Sequence, residues 1–199
     1  MKLYVVRHGH KQKGAYFSDM LRHEDEPLSD TGDLQARSLA DYFADKDIKR
    51  IYATGYIRTQ QTAKYVSEAK GIPITIDERA NEIDTGAVEK LSWEEIRTAY
   101  PDMWKEFKSH TRDFRYPGGE TGEEVRERQD SLLKDIAERN EDALLICHDG
   151  FIRLMVCNLL GAPIYHKYRL IADFCGVTEL EYDSEEKAWC ILKYNHTVC

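Results

Sequence analysis

The chain has 199 residues, with 28 Lys and Arg against 36 Asp and Glu for a formal charge of −8. Apolar residues make up 42% and charged residues 32%, with 12 Gly and 5 Pro, which excludes disordered and collagen-like classes. The length fits one domain, or at most two small ones, with a core that needs no staple. The negative balance repels polyanions, so nucleic acid and anionic membranes are not expected partners, although a local positive pocket stays allowed.

The first apolar run, Leu3 to Val6, reads as a buried strand, and a polar stretch from Gly9 to Glu26 follows. Pro27 to Gly32 looks like a helix entry with Ser29 or Asp30 as N-cap, and Leu34, Leu39, Tyr42 and Phe43 keep helical spacing after it. Ile48 to Ala53 reads as a second strand, Tyr56 to Ala69 as a helix closed by Gly71, and Ile72 to Ile76 as a third strand.

Residues 84–116 hold two helical patches, around Trp93, Ile96 and Tyr100 and around Trp104 and Phe107, interrupted at Pro101. They read as a cap-like insertion in a single domain of residues 1–199, and their aromatic side chains as cap packing, with one ring allowed at a substrate entrance. Thr121 and Glu124 have capping-box spacing and open a helix through Arg139. Ala143 to Cys147 is the next strand, Phe151 to Leu160 an apolar helix ended by Gly161, and Val177 to Tyr182 with Ala188 to Tyr194 a terminal hairpin. Strands alternating with helices predict an α/β fold with a mainly parallel sheet, covered on both faces, and an antiparallel edge.

The cysteines Cys147, Cys157, Cys175, Cys190 and Cys199 are odd in number and lack a C-x-x-C pair, which argues against a disulfide framework and a thiolate zinc site. No run is long enough for a signal-peptide core or a membrane span, so a cytoplasmic protein is expected.

In such sheets chemistry sits just beyond the carboxyl ends of the strands. Arg7-His8-Gly9-His10 follows the first strand, Thr54 and Arg58 the second, Asp77, Glu78, Arg79 and Glu82 the third, and His148-Asp149-Gly150 the fourth. Forked guanidiniums match phosphate oxygens, and a neutral imidazole between them can attack phosphorus. Neighbouring cations keep that imidazole neutral and offset charge in the transition state. A carboxyl such as Glu82 can protonate the leaving alkoxide.

These residues carry a resemblance. Arg7-His8-Gly9 after an N-terminal strand is similar to the signature of the histidine phosphatase (phosphoglycerate mutase-like) superfamily. The similarity continues through Pro27-Leu28-Ser29, Gly32, Gln35-Ala36, Ile51-Tyr52-Ala53, the Arg58 to Ala63 block, Asn81-Glu82 with Gly86, Pro117 to Thr121, and His148 to Arg153. The resemblance implies a three-layer α/β/α sandwich. It also implies His8 as the phosphorylated nucleophile, Arg7, Arg58 and His148 as phosphoryl-binding groups, and Glu82 as proton donor.

The chain departs from the family pattern at three places. His10 stands where members often carry an acidic or amide residue. Gly14 stands where many have a phosphate-touching Asn, and Asp149 resembles the donor of the acid-phosphatase branch. Glu82 is favoured as donor, with Asp149 the alternative or an orienting group. Asp149 and Gly150 are also expected to touch substrate.

For His10 the plainer reading, a solvated loop residue, is preferred, and Cys147 reads as a buried small hydrophobe. The set His8, His10, His148 and Asp149 has the look of metal ligands, but Arg7 and Arg58 would repel a cation. A phospho-ligand sensor is a further rival, although a sensor needs no proton donor.

The resemblance also implies that cofactor-dependent mutases of the family are longer, with more chain between the Glu and the second His and a C-terminal tail. Here only 65 residues separate Glu82 from His148 and Cys199 follows the last strand almost at once, so by that resemblance a phosphatase is favoured over a phosphoglycerate mutase. The expectation is a phosphatase for a small phosphomonoester, with no metal and no cofactor, and with a homodimer allowed. Lys11, Lys13, Arg22 and Arg115 are candidate contacts to an anionic substrate.

Overall fold

The computed structural model describes residues 1–14, 16–18, 21 and 23–198. Arg22 and Cys199 lie outside the described residues. Strand β1 (Lys2–Arg7) buries its four central side chains completely or nearly so. Alternation along the strand sends Leu3 and Val5 to one core cluster and Tyr4 and Val6 to another on the opposite face. The polar stretch after β1 contains a short hairpin that its composition did not announce, β2 (Phe17–Ser18) and β3 (His23–Glu24), paired Phe17 to Glu24 and Ser18 to His23.

Helix α1 (Asp30–Phe43) is capped by Ser29, whose hydroxyl accepts the Gly32 N–H. It buries Ala36, Leu39 and Phe43, whereas Leu34 is 66% exposed and lies off the core stripe. Strand β4 (Arg50–Ala53), helix α2 (Ile57–Lys70) and strand β5 (Ile74–Ile76) follow, with left-handed Gly71 closing α2. Both strands are two residues shorter at the start than their apolar runs, because their first residues find no ladder partner.

The 84–116 segment holds α3 (Trp93–Ala99) and α4 (Pro101–Ser109), with Pro101 as the first residue of α4, where its missing N–H costs nothing. Helix α5 (Gly122–Arg139) opens with the reciprocal Thr121–Glu124 capping box. Strand β6 (Ala143–Cys147) is buried throughout, and helix α6 starts at Asp149 (Asp149–Leu159), two residues before its apolar run. A 3-10 stretch at Ile164–Arg169, in a segment without periodicity, precedes the hairpin β7 (Val177–Asp183) and β8 (Ala188–His196).

The six-stranded sheet has the order β5-β4-β6-β1-β7-β8. Pairing is parallel from β5 to β1 and antiparallel from β1 to β8. Helices α5 and α6 pack on the face bearing Leu3, Val5 and Leu145, and α1 and α2 on the face bearing Val6, Leu144 and Ile146. Three layers result. Among the described residues no helix is long and apolar enough to cross a membrane.

Candidate active site

The sheet order places β1 between β6 and β7, with β4 next beyond β6, so the expected site residues meet at one edge. Arg7 is in register with Cys147, and the His8 N–H donates to the Cys147 carbonyl at 3.0 Å. His8 and His148 therefore emerge side by side, ring edge to face, with centroids 5.4 Å apart.

His8 is 4% exposed. Its Nδ1 lies 2.8 Å from the Gly9 carbonyl oxygen. A carbonyl only accepts, so Nδ1 carries the hydrogen and Nε2 keeps its lone pair, an assignment made from the partner. Burial, and then the Arg58 charge, hold the imidazole well below its usual range. The result is a neutral ring with one free nitrogen.

His148 is fully buried. Arg58 Nη2 donates to its Nδ1 at 3.4 Å, so Nε2 carries the hydrogen and donates to Thr54 Oγ1 at 3.0 Å. Burial, Arg58 and His8 together hold this ring neutral as well. It does not line the cleft itself but touches His8, Tyr56 and Arg58, which do.

Arg58 projects from the first turn of α2, over the Tyr56 ring at 4.3 Å. Arg7 Nη1 donates to the Ala172 carbonyl at 2.7 Å, and its guanidinium lies 3.9 Å over the Phe174 ring. Burial lowers the Arg7 pKa, yet the group stays a cation at any working pH. The Nε groups of Arg7 and Arg58 are buried without an acceptor. A phosphate oxygen fits that unmet demand.

Glu82 follows the 3-10 turn Glu78–Ala80 and reaches the start of α6. Its Oε1 accepts the N–H groups of Ile83 and Phe151 at 3.0 Å each, and its Oε2 accepts that of Gly150 at 3.1 Å. Arg128 donates to the Asn81 carbonyl at 2.8 Å and to the Glu82 carbonyl at 3.2 Å, which fixes this loop from behind. Asp149 accepts from Arg153 at 2.8 Å, one turn along α6.

A cleft of about 310 Å³ is lined by Arg7, His8, Lys11, Tyr56, Arg58, Glu82 and Asp149. His23, Glu24, Glu26, Thr85 and Glu89 line it too, and sequence reasoning singled out none of them. His23 and Glu24 sit on the β2–β3 hairpin, which has no periodic signal, and Glu89 is bonded to it. Phe174 was also missed, since only the antiparallel return to β7 brings it beside Arg7, His8 and His10.

Gly150 does not line the cleft, and its amide is taken by Glu82. His10 is not a solvated loop residue: Nδ1 of its half-buried ring lies 2.7 Å from Ser29 Oγ, and the ring packs against Phe174. Of the candidate cations among the described residues, only Lys11 borders the cleft, 2.6 Å from Glu26. Arg115 pairs with Glu124 instead. Burial pushes the Cys147 thiol up, as suits an inert residue. Among the described residues, no three or more His, Cys, Asp or Glu side chains gather as a metal ion would require.

A relative from Enterobacter sp. (strain 638), described as "Probable phosphoglycerate mutase GpmB", is 31% identical over 191 residues, covering 95% of this chain and 87% of that protein. The alpha-ribazole phosphatase from Shigella flexneri superposes with a TM-score of 0.83 at 20% identity, covering 99% of this chain and 97% of that one. A mycobacterial glucosyl-3-phosphoglycerate phosphatase gives 0.79 at 21% identity, covering 98% and 99%. At these identities the two structures establish the fold. The profile of the family described as "Histidine phosphatase superfamily (branch 1)" matches residues 3–197, and the chain belongs to that superfamily.

Proposed function

We propose that the protein is a metal-independent phosphatase that hydrolyses a small phosphomonoester through a phosphohistidine on His8. The observation that carries this reading is the His8 ring, neutral and with Nδ1 on the Gly9 carbonyl, beside two guanidiniums whose Nε groups lack acceptors.

In the first step His8 Nε2 attacks phosphorus and the bond from phosphorus to the ester oxygen breaks. The alkoxide takes a proton from the carboxyl of Glu82, or of Asp149 as the alternative donor, and leaves as the alcohol. Arg7 and Arg58 hold the equatorial oxygens, with His148 below as a neutral support for Arg58. In the second step water, deprotonated by the same carboxylate, attacks phosphorus, the P–N bond breaks, and His8 is restored.

Phosphoryl transfer of the mutase type is the second reading, and the name of the 31% identical relative favours it. Five carboxylates, Glu24, Glu26, Glu82, Glu89 and Asp149, line the cleft and favour the phosphatase, since they disfavour an acid-bearing phosphoester. A screen of phosphate esters for phosphate release, with trapping of acid-labile, base-stable phosphate on His8, tests the proposal. Label that persists in His8→Ala, or a rearranged ester as the main product, sinks it.

A further inference from the structure

Beside the catalytic cleft lies a second cavity of about 350 Å³, enclosed by the 84–116 segment. Thr85 and Glu89 line both spaces and form their common wall. Glu89 is fixed in that wall by the hairpin, accepting the Glu24 N–H at 3.3 Å and lying 3.2 Å from His23 Nδ1. Beyond it the lining turns apolar, with Val88, Ile96, Trp104, Phe107 and Tyr116, and with Trp93 63% exposed at the margin.

The volume suits a small organic group, and an apolar lining with few polar residues is the usual character of such a site. The rings of Trp93 and Trp104 both stack on Phe107, with centroids 5.2 and 5.5 Å apart, so the wall is rigid and aromatic. Among the described lining residues Glu89 alone is charged, and no Lys, Arg or His is present. A carboxylate or second phosphate placed there would lose its hydration without a partner. An exposed tryptophan bordering an apolar cavity next to a polar cleft with two arginines is explained by a ligand with two unlike ends.

We propose that this cavity holds the alcohol portion of the phosphoester, so that the substrates are monophosphates of apolar or aromatic alcohols. The inference rests on the phosphatase reading for its chemistry, while the binding can be measured apart from turnover.

The test uses ethyl, butyl, hexyl and phenylethyl phosphonates, which cannot be hydrolysed, with 3-phosphonopropionate as the acid-bearing probe. Calorimetric titration of the full chain should show Kd falling about three- to fourfold per added methylene. The propionate should bind no tighter than ethyl phosphonate. Trp104→Ala should flatten the alkyl series, and so should Leu91→Arg, which alters a half-buried residue of the same lining at little risk to folding.

A flat series in the wild type overturns the proposal, as does a graded series left unchanged in both variants. Graded binding without phosphate release from any ester supports the cavity and defeats the phosphatase reading. Release from esters with flat binding does the reverse.

Discussion

Glu82 Oε2 accepts the amide of Gly150 at 3.1 Å, across 68 residues of sequence. A Cβ on Gly150 would meet the Glu82 carboxylate itself. Glycine at this position is thus explained by the close approach of an acid to the start of α6. Gly150→Ala should displace Glu82 and lower kcat at least tenfold, with only a small change in Tm. Full activity in this variant would remove Glu82 from the mechanism.

The identity of the proton donor has its own signature. Loss of a general acid costs about 10²–10⁴-fold, most for poor leaving groups. Glu82→Gln should therefore slow an alkyl phosphate far more than 4-nitrophenyl phosphate, whereas Asp149→Asn should slow both alike. If the dependence on leaving group follows Asp149 instead, the donor assignment moves to Asp149. Steady-state kcat/KM on the two esters decides it.

Arg58 holds His148 Nδ1 and the Glu24 carbonyl, lies 3.7 Å from both Asp25 and Glu26, and is expected to take a phosphate oxygen as well. Lysine keeps the charge but loses the planar fork. Arg58→Lys is expected to lower kcat/KM by about 10²-fold, the scale seen when one transition-state donor is removed. Phe174→Leu should be milder, about 0.5–2 kcal/mol in kcat/KM, since it removes the ring beneath Arg7 and its contacts with the His8 and His10 rings but no donor to the phosphate. A larger effect for Phe174→Leu than for Arg58→Lys would contradict these roles.

Two histidines held neutral make stability depend on pH. His8 and His148 both have folded pKa values depressed below the usual 6.5, chiefly by burial. Below pH 6.5 the unfolded chain binds protons that the folded chain refuses, so stability falls with acidification and is regained as pH rises. Each group contributes a slope that grows as pH falls below 6.5 and reaches at most about 1.4 kcal/mol per pH unit. Urea midpoints measured from pH 7.5 to 5.5 should fall, and His148→Asn should lessen the slope. An unchanged slope in that variant would mean His148 is already charged in the native state.

Much of this molecule is legible along the chain. The apolar run Leu3–Val6, the Ser29 and Thr121 caps, the left-handed Gly71 and the all-buried β6 depend on local propensity and periodicity, and each lies at or near its expected place. The rule that chemistry follows parallel strands then led to Arg7, His8, Arg58 and His148, because strand ends are readable where strands are.

Other features depend on contacts between distant segments. The β2–β3 hairpin has two residues per strand and no repeat to detect, yet with its neighbours it supplies His23, Glu24 and Glu26 to the cleft. Phe174 reaches Arg7 only because β7 returns antiparallel beside β1. The tautomers of His8 and His148 depend on Gly9, Arg58 and Thr54 meeting in space.

The opening figures belong to both halves. Composition and charge, properties of the sequence by itself, determined a globular acidic chain, and its motifs pointed to residues that the fold brings together at one edge of the sheet. The tertiary structure alone decided how that charge is distributed. It sets two guanidiniums, one buried and one half-buried, beside neutral imidazoles, rings them with carboxylates, and places a largely apolar, aromatic cavity alongside, because electrostatics and desolvation act through distance in space and not through spacing along the chain.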